Sequence, residues 1–250
     1  MGFDPDECPE SVITQALEIQ NHTGDAAMAE LAPIFGKRDQ GAALGEIISL
    51  GTIGGVRGKP QVDASIFGPK KAMTAPWERG AEAAKRLRTH IGKTSEPIDN
   101  AALLGLLGLT ECQVERWSLP QRLPAAVATP VDHECLNFVP RKRHRVARRF
   151  EFARFLGDHL RQTPDSAGWL TSTDLATSRQ KYQRAFAAEF LCPIKSLEGF
   201  LEGDFSETAI EEAASHFDVS EQTVEALLMN NGYVPRSYYE SDMPYRMTAA

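Results

Sequence analysis

Residues 148–160 read RRFEFARFLGDHL, with Phe152, Phe155 or Leu156, and Leu160 recurring at the spacing of one helical face. The flanking residues extend this into a helix, ARRFEFARFLGDHL, whose apolar stripe turns inward. Arg154 and Asp158 stand four residues apart on the same helix with opposite charges, a spacing that lets the two side chains meet. Downstream, SRQKYQRAFAAEFLCP (178–193) predicts a second helix that Pro193 terminates. ETAIEEAASHF (207–217) and EQTVEALLMNNG (221–232) predict two more, joined by Asp218-Val219-Ser220. Ser220 is placed to cap the last helix and Gly232 to end it, which gives a helix-turn-helix-like pair.

Upstream, APWERGAEAAKRLRTHIG (75–92) opens with a proline and carries Ala81, Ala84, Leu87 and Ile91 at helical spacing. DNAALLGLLGL (99–109) follows, with Asp99 or Asn100 as its cap. Prolines at 120, 124, 130 and 140 exclude long helices in between, whereas AAVAT (125–129) and ECLNFV (134–139) read as strands of a small sheet. Before residue 76 the pattern predicts two short helices broken near Gly24. A stretch with glycines at 51, 54, 55 and 58 then reads as a flexible connection. It is no phosphate loop: where that loop needs its first glycine and its hydroxyl residue stand Ile53 and Pro60.

At 250 residues, 42% hydrophobic and 24% charged, the composition is that of an ordinary globular protein, without an apolar run of membrane-spanning length. The acidic start, MGFDPDECPE, is unlike a secretory signal, so a cytoplasmic location is expected and no membrane partner. Cys8, Cys112, Cys135 and Cys192 lie far apart with no CxxC pair and are expected to be reduced. A net charge of -7 disfavours a polyanion partner for the molecule as a whole. Charge is nevertheless segregated, with seven Lys or Arg against one Glu in residues 141–154, and six acidic residues without a cation in residues 206–235. The final helix therefore lacks the cations of a recognition helix. Arg141, Lys142, Arg143, Arg145 and Arg148 are the candidate partner-binding residues and the chain's one plausible nucleic-acid surface.

The segments RRFEFARFLGDHL, QRAFAAEFLCP and FDVSEQTVEALLMNNG resemble, in order and spacing, the three signature segments of the ImmA/IrrE metallopeptidases, over roughly residues 76–235. That family has a zincin-like fold and is found with mobile elements and stress-response regulators. Its first segment carries an Arg-Phe-x-x-Ala-His-Glu-x-x-His pattern, and an acidic third ligand precedes the Phe-Ala segment. Aligned on Arg149-Phe150 and Ala153, the two His positions are Arg154 and Asp158, and the Glu position is Phe155. The third-ligand region reads Arg179-Gln180-Lys181-Tyr182-Gln183-Arg184, with no carboxylate. A zincin needs two His at i and i+4 with a Glu between them to activate a zinc-bound water, and cations there would repel the metal.

The resemblance thus implies a metallopeptidase scaffold without its metal chemistry, with an Arg154–Asp158 salt bridge in the zinc cleft. Asp158, His159 and Glu189 are fallback metal ligands, with His144 or His133 as further donors. His159, one residue past the second His position, is about 100° round the helix from it. Glu189, in an otherwise apolar segment, is expected to pair with Arg149 or Arg154, and Cys192 to be core. Asp132-His133-Glu134-Cys135 gathers donors, but on a strand alternation would send His133 and Cys135 to one face and the acids to the other, half a site at most.

The combined expectation is a mainly helical α+β protein. Residues 1–72 form an N-terminal helical segment with a Gly-rich linker. Residues 73–235 form a zincin-like ImmA/IrrE-type domain with a small sheet and a closing helix-turn-helix-like pair, and residues 236–250 a flexible tail whose tyrosines could meet a partner. The expected role is that of a non-catalytic pseudopeptidase, a protein- or peptide-binding regulator without a cofactor. An active metallopeptidase with a non-standard zinc site and a nucleic-acid-associated regulator are the alternatives.

Overall fold

The computed structural model describes residues 8–35, 40–66, 75–119, 121–132, 134–162 and 168–235. In chain order its elements are α1 (Glu10–Thr23), α2 (Asp25–Phe35), α3 (Gln40–Thr52), β1 (Val56–Gly58), a single 3-10 turn (Ala64–Ile66), α4 (Pro76–His90), α5 (Asn100–Leu106), α6 (Glu111–Arg116), β2 (Ala126–Pro130), β3 (Leu136–Val139), α7 (Arg145–Arg161), β4 (Leu170–Ser172), α8 (Ser178–Leu191), α9 (Ile194–Leu201), α10 (Glu207–Phe217) and α11 (Glu221–Asn230). The expected α+β, mainly helical class is what forms.

The sheet is antiparallel throughout, in the order β1-β3-β2-β4. Because side chains alternate along a strand, β2 and β3 send Val127 and Val139 to one face and Ala126, Ala128 and Phe138 to the other. The first face packs beneath α1, α2 and α3, against Leu31, Leu44 and Ile47. The second packs beneath α7, where Phe138 meets Phe152 and Phe155. The sheet is therefore a central layer between two helical ones.

This layering corrects the linker reading of the glycine-rich stretch. Val56–Gly58 is the edge strand, and the loop before it is tied down: the Asn137 carboxamide accepts from the Gly55 N–H at 2.8 Å and donates to the Ile53 carbonyl at 2.9 Å. Trp117 Nε1 donates to the Gly54 carbonyl. A Cβ on Gly55 would lie 2.2 Å from the Phe138 carbonyl oxygen, so that glycine is required by close backbone approach. Residues on both sides of the expected boundary near 72 thus build one sheet. The boundary itself and the 236–250 tail lie outside the described residues.

On the second face α4 and α8 pack along their lengths. A Cβ on Gly80 would come within 2.3 Å of the Tyr182 carbonyl, so the contact needs a residue without one. Asp99 caps α5, Ser206 caps α10 and Ser220 caps α11, as their positions before the apolar runs require. Pro193 lies between α8 and α9, and Gly232, at φ 78°, follows α11. The second predicted strand is shorter than expected. The Asp132 carboxylate accepts the N–H groups of Glu134 and Cys135, turning the chain before Leu136. His133 lies outside the described residues.

Candidate functional site

Helices α7 and α8 lie side by side, so Arg154 and Asp158 of α7 face the residues that open α8. The neighbouring strand β4 runs past both. Asp158 is fully buried, and its partner is Arg179: Arg179 Nη2 donates to Oδ2 at 2.5 Å and Nε to Oδ1 at 2.9 Å. Arg179 Nη2 also donates to the Trp169 carbonyl, the Thr171 N–H donates to Asp158 Oδ2, and Arg161 Nε stands 3.6 Å from Oδ1.

The expected Arg154–Asp158 bridge does not form. Arg154, 5% exposed, donates through Nη2 to the Thr173 carbonyl at 2.7 Å and to Gln180 Oε1. Gln180 locks that arrangement, because its Oε1 also accepts the Thr173 N–H and its Nε2 donates to the Thr171 carbonyl. Gln183 donates to the same carbonyl at 2.8 Å. Arg179 reaches Asp158 from the neighbouring helix with two nitrogens aimed at one carboxylate, a charge-assisted forked contact, while Arg154 is turned to Thr173 and Gln180. Phe155 points to neither group. It is buried against Phe138 and Phe152, with ring centroids 5.7 and 6.3 Å away.

The fallback ligands scatter. His159 turns from this cluster and hydrogen-bonds the Val62 carbonyl through Nε2 at 3.0 Å; against a carbonyl that nitrogen is the donor, which leaves it no lone pair for a metal. Burial pushes its imidazole below the ordinary histidine range. Glu189 pairs with neither Arg149 nor Arg154. Its carboxylate accepts the Ile194 N–H at the start of α9 and stands 3.9 Å from Lys85 Nζ, and burial raises its pKa. Among the described residues no three His, Cys, Asp or Glu side chains gather. The donor chemistry beside α7 does not fit a zinc ion either: two guanidinium groups flank one carboxylate that is already bound bidentately.

The basic run is partly taken into the fold: Arg141 and Arg149 are enclosed, whereas Lys142, Arg143 and Arg145 stay exposed. Arg141 is a buried clasp: Nε meets Glu151 Oε1 at 3.2 Å, while Nη1 and Nη2 hold the Asp174 carboxylate at 2.8 and 2.5 Å. Arg145 forms a forked pair with Asp218, and Arg149 is buried against the Ile98 carbonyl and Asn100 Oδ1. Lys142 and Arg143 are exposed and Arg148 is half-buried.

Beside this polar cluster opens a broad cleft of about 2520 Å³ between α4, α7, α8, α10 and α11. Its lining includes Arg154, Lys142 and Arg184, together with Trp77, Phe150 and Ile210. Sequence reasoning treated Arg179 and Arg184 only as residues hostile to a metal. The signal that marks them is their placement in the first two turns of α8, behind the capping residue Thr177.

No helix among the described residues is long and apolar enough to cross a membrane. No protein-family model matches the chain, and no curated protein or solved structure matches it.

Proposed function

We propose that the chain is a zincin-like, non-catalytic relative of the ImmA/IrrE metallopeptidases, a cytoplasmic pseudopeptidase that regulates by binding a protein or peptide in the cleft beside α7. The observation that carries the reading is the buried Asp158–Arg179 pair. It occupies, with Arg154 and Gln180, the helix face where the resembling motif would hold metal and general base. A peptidase needs an ionised water at a Lewis acid and a base beside it. Here the base position is the apolar ring of Phe155, and the carboxylate that could bind a cation is neutralised by an arginine. What remains is a cleft with both apolar and charged walls, suited to holding a chain without cutting it.

Metal analysis of the purified protein, as isolated and after zinc incubation and desalting, tests this reading beside an Asp158→Ala, His159→Ala variant. The expected result is zinc far below stoichiometric in both proteins and no chelator-sensitive proteolysis. Near-stoichiometric zinc that the variant loses would overturn the proposal in favour of an active peptidase with a rebuilt site.

A further inference from the structure

The floor of the cleft carries more positive charge than the fold neutralises. Arg141, Lys142, Arg154 and Arg184 act electrostatically on one another or on nearby acids: Arg184 also feels Glu30, and the acids the group shares are Glu151 and Asp174. Both of those carboxylates are already clasped by Arg141. Arg154 forms no ion pair within 4 Å among the described residues; its Nη2 is spent on a carbonyl and a carboxamide, and its buried Nε has no partner. Arg184 likewise spends Nη2 on a carbonyl, that of Leu175. Burial together with the fields of Arg184 and Arg141 outweighs the neighbouring acids and pulls the Arg154 guanidinium down to about 10, still fully charged at neutral pH. A buried, charged guanidinium with open hydrogen-bonding capacity is costly unless an anion meets it.

The part of the same cleft that α10 and α11 line is an acidic wall, with Glu207 and Glu211 on α10 and Glu221 and Glu225 on α11. A polyanion such as a nucleic acid would meet repulsion there, so the cation floor suits a single, local anion. The same lining includes Trp77 and Phe150, which offer apolar contact to neighbouring side chains.

We infer that Arg154, Arg184 and Lys142 form a carboxylate-binding subsite, and that the cleft takes a peptide segment whose Asp, Glu or C-terminal carboxylate seats on these cations while its apolar and basic neighbours meet the acidic wall. This rests on the binding role proposed above and adds the chemistry of the partner. The inner position of Arg154 supplies directionality through its guanidinium, and the outer Lys142 supplies charge without fixed geometry.

The test pans a displayed library of random dodecapeptides against the full-length chain, then measures synthetic versions of the recovered peptides by calorimetry. Recovered peptides are expected to share an acidic residue, whose replacement by Asn or Gln weakens binding by about tenfold or more, as for a charge-assisted hydrogen bond. In Arg154→Gln, and separately in the less buried Arg184→Gln with Lys142→Gln, that discrimination is expected to fall to about twofold or less, with circular dichroism confirming the fold. Peptides that bind without an acidic requirement, or variants that keep the discrimination, would overturn the subsite and leave the pseudopeptidase reading intact. Recovery of no peptide, or tighter binding of a single-stranded oligonucleotide, would overturn it as well. Stoichiometric zinc in the same preparation would instead overturn the reading on which it rests.

Discussion

Arg179 at the start of α8 holds Asp158 in the last turns of α7 through two nitrogens, with the closest approach 2.5 Å and both side chains buried. Two charges removed from water in this way are worth little as a pair, yet breaking the pair is expensive, because the survivor stays buried and unpaired. The pair therefore fixes how α7 and α8 sit against β4.

Asp158→Ala or Arg179→Met alone should each destabilise the protein by about 3–5 kcal/mol, whereas Asp158→Leu combined with Arg179→Met should recover most of the loss. Urea unfolding of the four proteins measures this. A double variant no more stable than the worse single would show that the surrounding bonds, from the Thr171 N–H and to the Trp169 carbonyl, matter more than charge.

Thr177 joins the N-terminal layer to the site. Its hydroxyl donates to Glu30 Oε1 on α2 at 2.6 Å and accepts the Gln180 N–H that opens α8. Thr177→Ala should cost about 1–3 kcal/mol, the sum of a lost cap and a lost bond to a buried carboxylate. Thr177→Ser should stay near wild type, and equal stability of the two variants would remove the proposed coupling.

The Asp218 carboxyl is held below its ordinary value of 3.8, chiefly by its hydrogen bond from Arg145 and secondarily by the charge of Arg149. A carboxyl with a depressed folded pKa contributes stability that is fully present above the unfolded value and is lost as pH falls through the folded one. Asp218→Asn should therefore be less stable than wild type at pH 7, with the gap closing below the ordinary carboxylate range. Asn tolerates the left-handed backbone at this position, φ 53°, so the comparison isolates charge. Unfolding curves at pH 7 and pH 3 that show the same gap would contradict the assignment.

Gly55→Ala should destabilise by about 1–3 kcal/mol, because its new methyl must displace the Phe138 carbonyl of β3. Gly54→Ala, where a Cβ meets nothing within 4 Å, is the control and should change stability far less. Equal effects at the two positions would mean that general loop flexibility, and no close approach, sets the requirement.

Much of the fold was legible because it is written in local patterns. Helices α4, α5, α7, α8, α10 and α11 follow from apolar spacing, and Asp99, Ser206 and Ser220 stand where a cap must stand, whereas the short α6 and α9 escaped that reading. Val56–Gly58 was not legible, since a three-residue edge strand among glycines has no period to detect. It forms by pairing with β3, and the Asn137 carboxamide ties down the loop that leads into it. The strand reading of residues 134–135 likewise failed, because Asp132 is a turn residue whose carboxylate accepts the N–H groups of Glu134 and Cys135.

The sequence by itself determined that one helix carries Arg154, Phe155 and Asp158, with Arg154 and Asp158 four residues apart. Helical periodicity also determined that His159 points away from Asp158, since adjacent helical residues diverge by about 100°. Only the tertiary structure decided who pairs with whom. The i, i+4 rule offered Arg154 to Asp158 on distance along one helix, but pairing in a buried cluster is settled by every donor that packing brings within reach. Arg179 arrives from α8 and Gln180 from the same turn, and together they divide Asp158 and Arg154 between them. The cations left facing the cleft are the remainder of that division, a quantity no single stretch of sequence contains.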